Sequence, residues 1–257
     1  MNKLTIEISS YPKSGNTWVR HIFREVLRGT NASRIELATA LHQRGAQQIK
    51  SLEPIEISSL GLSLRLYKSH ICDHPELNPN RVLYAYRHPL DVLFSALNFH
   101  ATQALMLGKK VDLSVFRDAR PKMVEQMLSD GDISYYFDRF LADAGASLFP
   151  RSLTGVDTYF DHVGAALDNP KVVGVKYEDM CSDVAGAIEP AICEVLGLSQ
   201  LGATINYNYI NKNTKGSDRK DFFWKASSGG YVELLSAAQV DRLCTHYQQE
   251  LKNLGYL

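Results

Sequence analysis

TIEISSYPKSGNTWVRHIFREVL, Thr5 to Leu27, decides how this chain is read. It opens on a short β-prone run, Thr5 to Ser9, and enters a loop that closes on Gly15-Asn16-Thr17. Trp18, Val19, Ile22, Phe23, Val26 and Leu27 then recur at helical spacing. Strand, small-residue turn and helix together make an anion site. The first amides of a helix have no partner within it, and the helix dipole puts partial positive charge there. A phosphate fits on the amides of Ser14, Gly15, Asn16, Thr17 and Trp18, with Lys13 adding a full charge and Ser14 and Thr17 adding hydroxyl donors. The lysine precedes the glycine, and GxxxxGK[ST] is absent, so this is not a Walker loop. An ordinary turn before a helix capped by Thr17 or Asn16 gives the same pattern, and the stretch alone does not separate the two.

The rest of the chain sets bounds. A length of 257 residues, 45% of them hydrophobic, suits one α/β domain with a substantial core, and no repeat or linker argues for a second. Lys plus Arg equals Asp plus Glu at 28 each. A nucleic-acid binder shows a basic excess, so no nucleic-acid partner is expected. Cys72, Cys181, Cys193 and Cys244 lie far apart without a CxxC, so neither a metal site nor a disulfide framework is expected. No apolar run approaches the ~18 residues of a membrane span, and the N-terminus lacks a signal-peptide pattern. The expectation is a cytoplasmic protein without an integral membrane segment.

Beyond the first helix, Ser33 to Gln43 is predicted helical and the rest of Gly29 to Pro54 reads as loop. Leu62 to Tyr67, Arg81 to Tyr86 and Lys171 to Val175 read as strands. Helices are predicted from Leu90 onward, and over Asp112 to Leu128, Ser134 to Ala144, Thr154 to Leu167 and Asp183 to Leu196, the last despite Pro190. A final helix starts at a Ser236/Gln239 capping box and stops at Gly255. Strands alternating with helices predict a parallel sheet flanked by helices on both faces, with ligands at the carboxyl ends of the strands.

Chemistry-bearing residues fall at those ends. Lys68-Ser69-His70 closes the second strand, and a histidine there accepts a proton near neutral pH. A lone histidine at such a place is more often a satisfied loop residue. Arg87 follows RVLYAY, Pro89 starts a helix and Ser95 lies one to two turns in; guanidinium and hydroxyl suit a phosphate. Alternatively, Arg87 pairs with a carboxylate, while Asp91 reads as plain helix N-terminal charge. Tyr177-Glu178-Asp179-Met180 follows the next strand, and its two carboxylates read as structural. Tyr207 lies in an aromatic cluster, and Arg219-Lys220 opens RKDFFWK.

YPKSGNTW closely resembles the 5′-phosphosulfate loop, YPKSGTTW, of sulfotransferases that use 3′-phosphoadenosine 5′-phosphosulfate (PAPS). KSH resembles the family's KTH, YRHPLDVLFSALNF its 3′-phosphate segment RNxxDVxxSxxxF, VVGVKYEDM its strand followed by YEDM, and RK its RKG motif, in the same order. The resemblance runs from Tyr11 to the end and is weak over 29–60 and 100–169. It implies a P-loop-like α/β fold in a single domain, residues 1–257. It implies PAPS as donor, its bisphosphate PAP as product, and no metal. His70 becomes the base, and Lys13 and Lys68 the catalytic cations. Lys13, Ser14, Gly15, Asn16, Thr17, Trp18, Arg87, Ser95, Tyr177, Tyr207, Arg219 and Lys220 become the donor-binding set, with Trp18 and Tyr207 about the adenine. Asp221 stands where the family has glycine, its carboxylate expected to face away from the nucleotide. The implied acceptor is a hydroxyl, less readily an amine, of a small molecule, glycan or natural product. A monomer and a homodimer both remain open. The rival readings are a P-loop kinase or hydrolase, which needs a Mg²⁺ site not evident here, and a non-catalytic nucleotide-binding scaffold.

If Arg87 and Ser95 hold a 3′-phosphate, calorimetry will show a preference for PAP over AMP. Each charge-assisted bond lost is expected to cost ~1.5–3 kcal/mol, and equal affinities contradict the assignment.

Overall fold

The computed structural model describes residues 2–28, 54–57, 61–105, 122–202, 204–213 and 227–257. In chain order its elements are β1 (Asn2–Ser10), α1 (Asn16–Arg28), β2 (Ile55–Ile57), β3 (Leu62–Lys68), β4 (Arg81–Tyr86), α2 (Pro89–Leu105), α3 (Val124–Asp130), α4 (Ile133–Asp143), α5 (Arg151–Thr154), α6 (Tyr159–Leu167), β5 (Val172–Lys176), α7 (Tyr177–Ser182), α8 (Val184–Leu196), α9 (Tyr207–Asn213), a 3₁₀ turn (Gly230–Glu233), α10 (Ala237–His246) and α11 (Gln248–Asn253). The chain divides into two compact units, one of residues 1–86 and 165–216, the other of 87–164 and 217–257.

The first unit is built on a five-stranded sheet in the order β2-β3-β1-β4-β5. β1 runs parallel to β3 and β4, and β4 parallel to β5. β2 is antiparallel to β3, so the sheet is mixed. That edge strand was not legible in the sequence: it has three residues and falls just past Pro54, where no element was expected. β1 is central and sequestered on both sides, as a strand between two parallel neighbours must be. Ile6 and Ile8 point into the main apolar cluster, while Glu7 and Ser9, on the opposite side, are equally inaccessible. The predicted stripe of α1 is buried in full against that cluster. Each Ile, Phe or Leu buried this way contributes roughly 1.5–3 kcal/mol, more than enough to outweigh the modest helix propensity of Val and Ile. α8 packs on β4 and β5; Asp183 caps its start by accepting from Gly186 N at 3.0 Å, Gly197 ends it in a left-handed turn, and Pro190 sits inside without interrupting it.

The second unit is helical. Pro89 opens α2, where its missing N–H costs nothing. The Ser236/Gln239 capping box is present at α10. The single terminal helix expected from the sequence is two helices, broken at Tyr247. Tyr247 OH donates to Leu141 O at 2.8 Å, and its ring lies 4.4 Å from that of Phe160. These contacts hold the break in place. Tyr136, Phe137, Phe140, Phe149, Tyr159 and Phe160 are buried, and the neighbouring Tyr135 is exposed. The helix expected over Ser33 to Gln43, and most of that over Asp112 to Leu128, lie outside the described residues.

Candidate active site

Two strand ends meet in the first unit. The parallel register sets Ile8 opposite Lys68, so the loop after β1 and the loop after β3 leave the sheet side by side. Ser69 N donates to Ile8 O at 3.1 Å. His70 Nδ1 lies 2.8 Å from Ser10 O. A carbonyl oxygen only accepts, so Nδ1 carries the proton, and the neutral ring has its lone pair on Nε2. The ring of the expected base is thus fixed by the backbone of the residue just before Tyr11, and Lys68 stands two residues earlier at the strand end.

The loop from Tyr11 to Gly15 is tight. Ser14 N donates to Tyr11 O at 3.2 Å, and Trp18 N and Val19 N to Gly15 O at 2.9 and 3.1 Å. Lys13 (φ 71°) and Gly15 (φ 106°) are both left-handed, an alternation that suits a backbone turned about an anion. Tyr11 is buried, and its amide donates to Tyr84 OH at 3.3 Å. The Ser14 hydroxyl is buried and has no hydrogen-bond partner among the described residues. A donor closed off in this way suits a bound phosphate or sulfuryl oxygen. Asn16 is anchored instead: its Nδ2 donates to Ile8 O at 3.3 Å. Thr17 Oγ1 accepts from Arg20 at 3.2 Å.

Tyr177 closes over this loop. Its ring meets Trp18 edge to face at 5.5 Å between centroids, and a Cβ built on Gly15 would stand 2.8 Å from Tyr177 Cδ2. Trp18 is therefore a core aromatic, 3% exposed. Tyr207 is half-buried at the start of α9, which packs on α1, and its hydroxyl donates to Glu189 at 2.7 Å. Glu178 and Asp179 form the first turn of α7, in keeping with a structural role.

In the second unit Arg87 and Ser95 are both buried. The Arg87 guanidinium donates to Ser227 O at 2.7 Å and lies 3.7 Å from Asp91. Asp91 is more than the helix-end charge expected of it. It is fully buried and accepts from Gly229 N at 2.7 Å and Tyr231 N at 3.3 Å. His88 stacks on Tyr231 at 4.3 Å, and Tyr159 OH donates to Arg87 O. The start of α2 is thereby fastened to residues 227–231. Asp91 and Ser95 share a face of α2 at i, i+4 spacing. Arg219, Lys220 and Asp221 lie outside the described residues.

A family model described as the sulfotransferase domain matches residues 5–255. The chain belongs to this family, the sulfotransferases that use PAPS. It is similar to the crystal structure of mouse sulfotransferase SULT7A1 complexed with PAP, at a TM-score of 0.58 and 14% identity over 97% of this chain and 84% of that one. It is also similar to two structures of retinol dehydratase. One is in complex with androsterone and the inactive cofactor PAP (TM-score 0.52, 16% identity, 96% of this chain and 80% of that one). The other is in a complex with retinol and PAP (0.55, 16%, 96% and 81%). At these identities the structures speak for the fold, which is the P-loop-like α/β architecture expected from the motifs. Among the described residues of this sulfotransferase no helix is long and apolar enough to cross a membrane. Among them, too, no three His, Cys, Asp or Glu side chains gather as a metal site would require. No disulfide links the four cysteines, which are half-buried.

One polar group beside the loop escaped the sequence reading. Glu7 lies fully buried in β1 and accepts from Tyr67 OH at 3.2 Å and His74 N at 3.0 Å. The signal was available: a lone acid in a strand that both neighbours bury. Burial pushes its carboxyl up from 4.5 to about 7; the His74 amide and the Ser9 and Tyr67 hydroxyls pull it back, and Asp73 raises it further. Burial, and then the Glu7 charge, also raise the Tyr67 phenol, and burial with Glu7 and Asp73 pushes the Cys72 thiol up to about 12. His74 is partly buried, and its amide is the one bonded to Glu7.

Two outcomes are expected. Gly15→Ala puts a side chain at φ 106° against Tyr177 and destabilises by about 1–3 kcal/mol in urea unfolding; an unchanged midpoint contradicts the tight loop. Between pH 4.5 and about 7 native Glu7 holds a proton that the unfolded chain has released. Its contribution is therefore fully present below pH 4.5 and is lost as pH rises through about 7, on the order of 3 kcal/mol. Glu7→Gln flattens that slope; an identical slope in the variant contradicts the burial argument.

Proposed function

We propose that this sulfotransferase moves a sulfuryl group from PAPS to a hydroxyl of a small-molecule, glycan or natural-product acceptor, with His70 as general base. The observation that supports this reading is the 2.8 Å contact between His70 Nδ1 and Ser10 O, which sets the Nε2 lone pair at the edge that also carries the Tyr11–Trp18 loop. PAPS supplies the sulfuryl group: the acceptor oxygen–sulfur bond forms as the bond from sulfur to the 5′-phosphate oxygen breaks. His70 Nε2 takes the acceptor's proton. Lys13 and Lys68 stabilise charge on the bridging and sulfuryl oxygens, the electrostatic work that usually dominates such transfers. Ser14 gives its buried hydroxyl to the 5′ end, with the amides of Gly15, Asn16 and Thr17. Arg87, Ser95, Arg219 and Lys220 take the 3′-phosphate, and Tyr177 and Tyr207 border the adenine. The buried hydroxyl of Ser14 fits such a ligand, because a donor closed off from water is costly unless something accepts from it.

The acceptor class follows from needing a base. A hydroxyl is a poor nucleophile until its proton leaves, whereas an uncharged amine attacks without help. The retinol and androsterone of the retinol dehydratase structures are small alcohols, which is the class proposed here. The protein is proposed to work as a soluble cytoplasmic enzyme.

His70→Ala is expected to lower single-turnover transfer from radiolabelled PAPS by ~10²–10⁴-fold and to leave PAP affinity nearly unchanged. A nitrophenol acceptor suffers less than an aliphatic alcohol, since it needs less help losing its proton. A mutant with nearly full turnover excludes His70 as the base. Loss of PAP affinity and melting temperature along with the rate makes His70 a packing residue. PAP binding by the unmutated protein with no transfer to any acceptor favours the scaffold reading.

A further inference from the structure

Three bonds tie the base loop to β1, and the third is outside the motif. Ser69 N is bonded to Ile8 O, His70 Nδ1 to Ser10 O, and His74 N to Glu7 Oε2. The first two fix the loop where it leaves β3. The third fixes its far end, four residues past His70. Register explains why Glu7 can reach it. Glu7 is the β1 partner of Tyr67, so the two side chains lie side by side on one face of the sheet, and Tyr67 OH donates to the same Oε2 at 3.2 Å. Asp73, next to His74, is held in turn by Lys171 at 3.0 Å and by Asn169 Nδ2 at 3.0 Å.

An apolar residue would be the cheaper occupant of this place. The site is fully buried, and a carboxylate there is costly unless its hydrogen bonds do something an apolar side chain cannot. One of those bonds reaches the loop of the base and the other the strand that leads into it. We infer that Glu7 is a positioning residue for sulfuryl transfer: through His74 N it sets the 69–74 loop, and so the place of His70. It touches neither donor nor acceptor. The inference rests on His70 being the base, as proposed above.

A double-mutant cycle with His70→Ala separates positioning from plain stabilisation. Glu7→Leu removes the acceptor atom and keeps the bulk. It is expected to lower single-turnover transfer by about 10- to 100-fold, the size of a misplaced base, with PAP affinity within about threefold. In the His70→Ala background the same change should cost less than about twofold, because there is no base left to misplace. Glu7→Gln keeps an acceptor oxygen for His74 N and Tyr67 OH and is expected to stay within about threefold of the unmutated rate. If Glu7→Leu does not fold, Glu7→Asp takes its place in the cycle, since one methylene fewer draws the carboxylate away from His74 N. Equal penalties in both backgrounds, no penalty in either, or a Glu7→Gln as damaging as Glu7→Leu each overturn the inference alone. A silent His70→Ala overturns the base assignment and this inference with it.

Discussion

The bond between His70 Nδ1 and Ser10 O is the contact on which the proposed chemistry of this protein depends. It joins the chain segment that leads into the Tyr11–Trp18 loop to the segment that carries the proposed base. It also fixes which ring nitrogen holds the proton. Neither effect needs a charged partner: a backbone carbonyl has one hydrogen-bonding role, and that role decides the tautomer. The bond exists because β1 and β3 run parallel, with Ile8 opposite Lys68. A shift of one residue in that register would move Lys68 and His70 along the sheet edge and turn every side chain of β3 to the other face.

Parallel pairing has a cost that Glu7 makes visible. A central strand of a sheet covered on both faces leaves its side chains little access to water, so the carboxyl of Glu7 is pushed up, and donors offset only part of that. The Tyr67 hydroxyl and the His74 amide are those donors. The segment 69–74 is thus tied both at the strand edge and beneath it. In the second unit the same economy appears at Asp91, a buried acid that accepts from two amides of the segment 229–231. In both places a carboxylate holds backbone, and at Asp91 it does so beside its ion pair with Arg87.

Most of the sheet could be read in advance because β1, β3, β4 and β5 are apolar runs bounded by turns, and α1 carries an unbroken stripe at helical spacing. β2 could not, because three residues, Ile55–Ile57, give no period to measure. The break at Tyr247 was hidden for the opposite reason. Leu243, Tyr247 and Leu251 keep helical spacing across it, while the break follows from tertiary contacts of Tyr247 with Leu141 and Phe160. The candidate site residues were legible as motifs, Lys13 to Trp18, Lys68 to His70, Arg87 and Ser95. Their supports were not. Ser10 O and His74 N are backbone atoms that any residue supplies, and Tyr67 and Tyr84 look like ordinary strand aromatics until their hydroxyls are placed.

The tautomer of His70 can be read directly, by ¹⁵N NMR of the protein labelled at histidine nitrogen, above the pH at which the ring is charged and with His70 assigned from His70→Gln. The structure requires a pyrrole-type signal from Nδ1 and a pyridine-type signal from Nε2. The reverse pattern, with the proton on Nε2, would mean that the Ser10 contact does not hold in solution and that the ring presents no lone pair where an acceptor hydroxyl needs one.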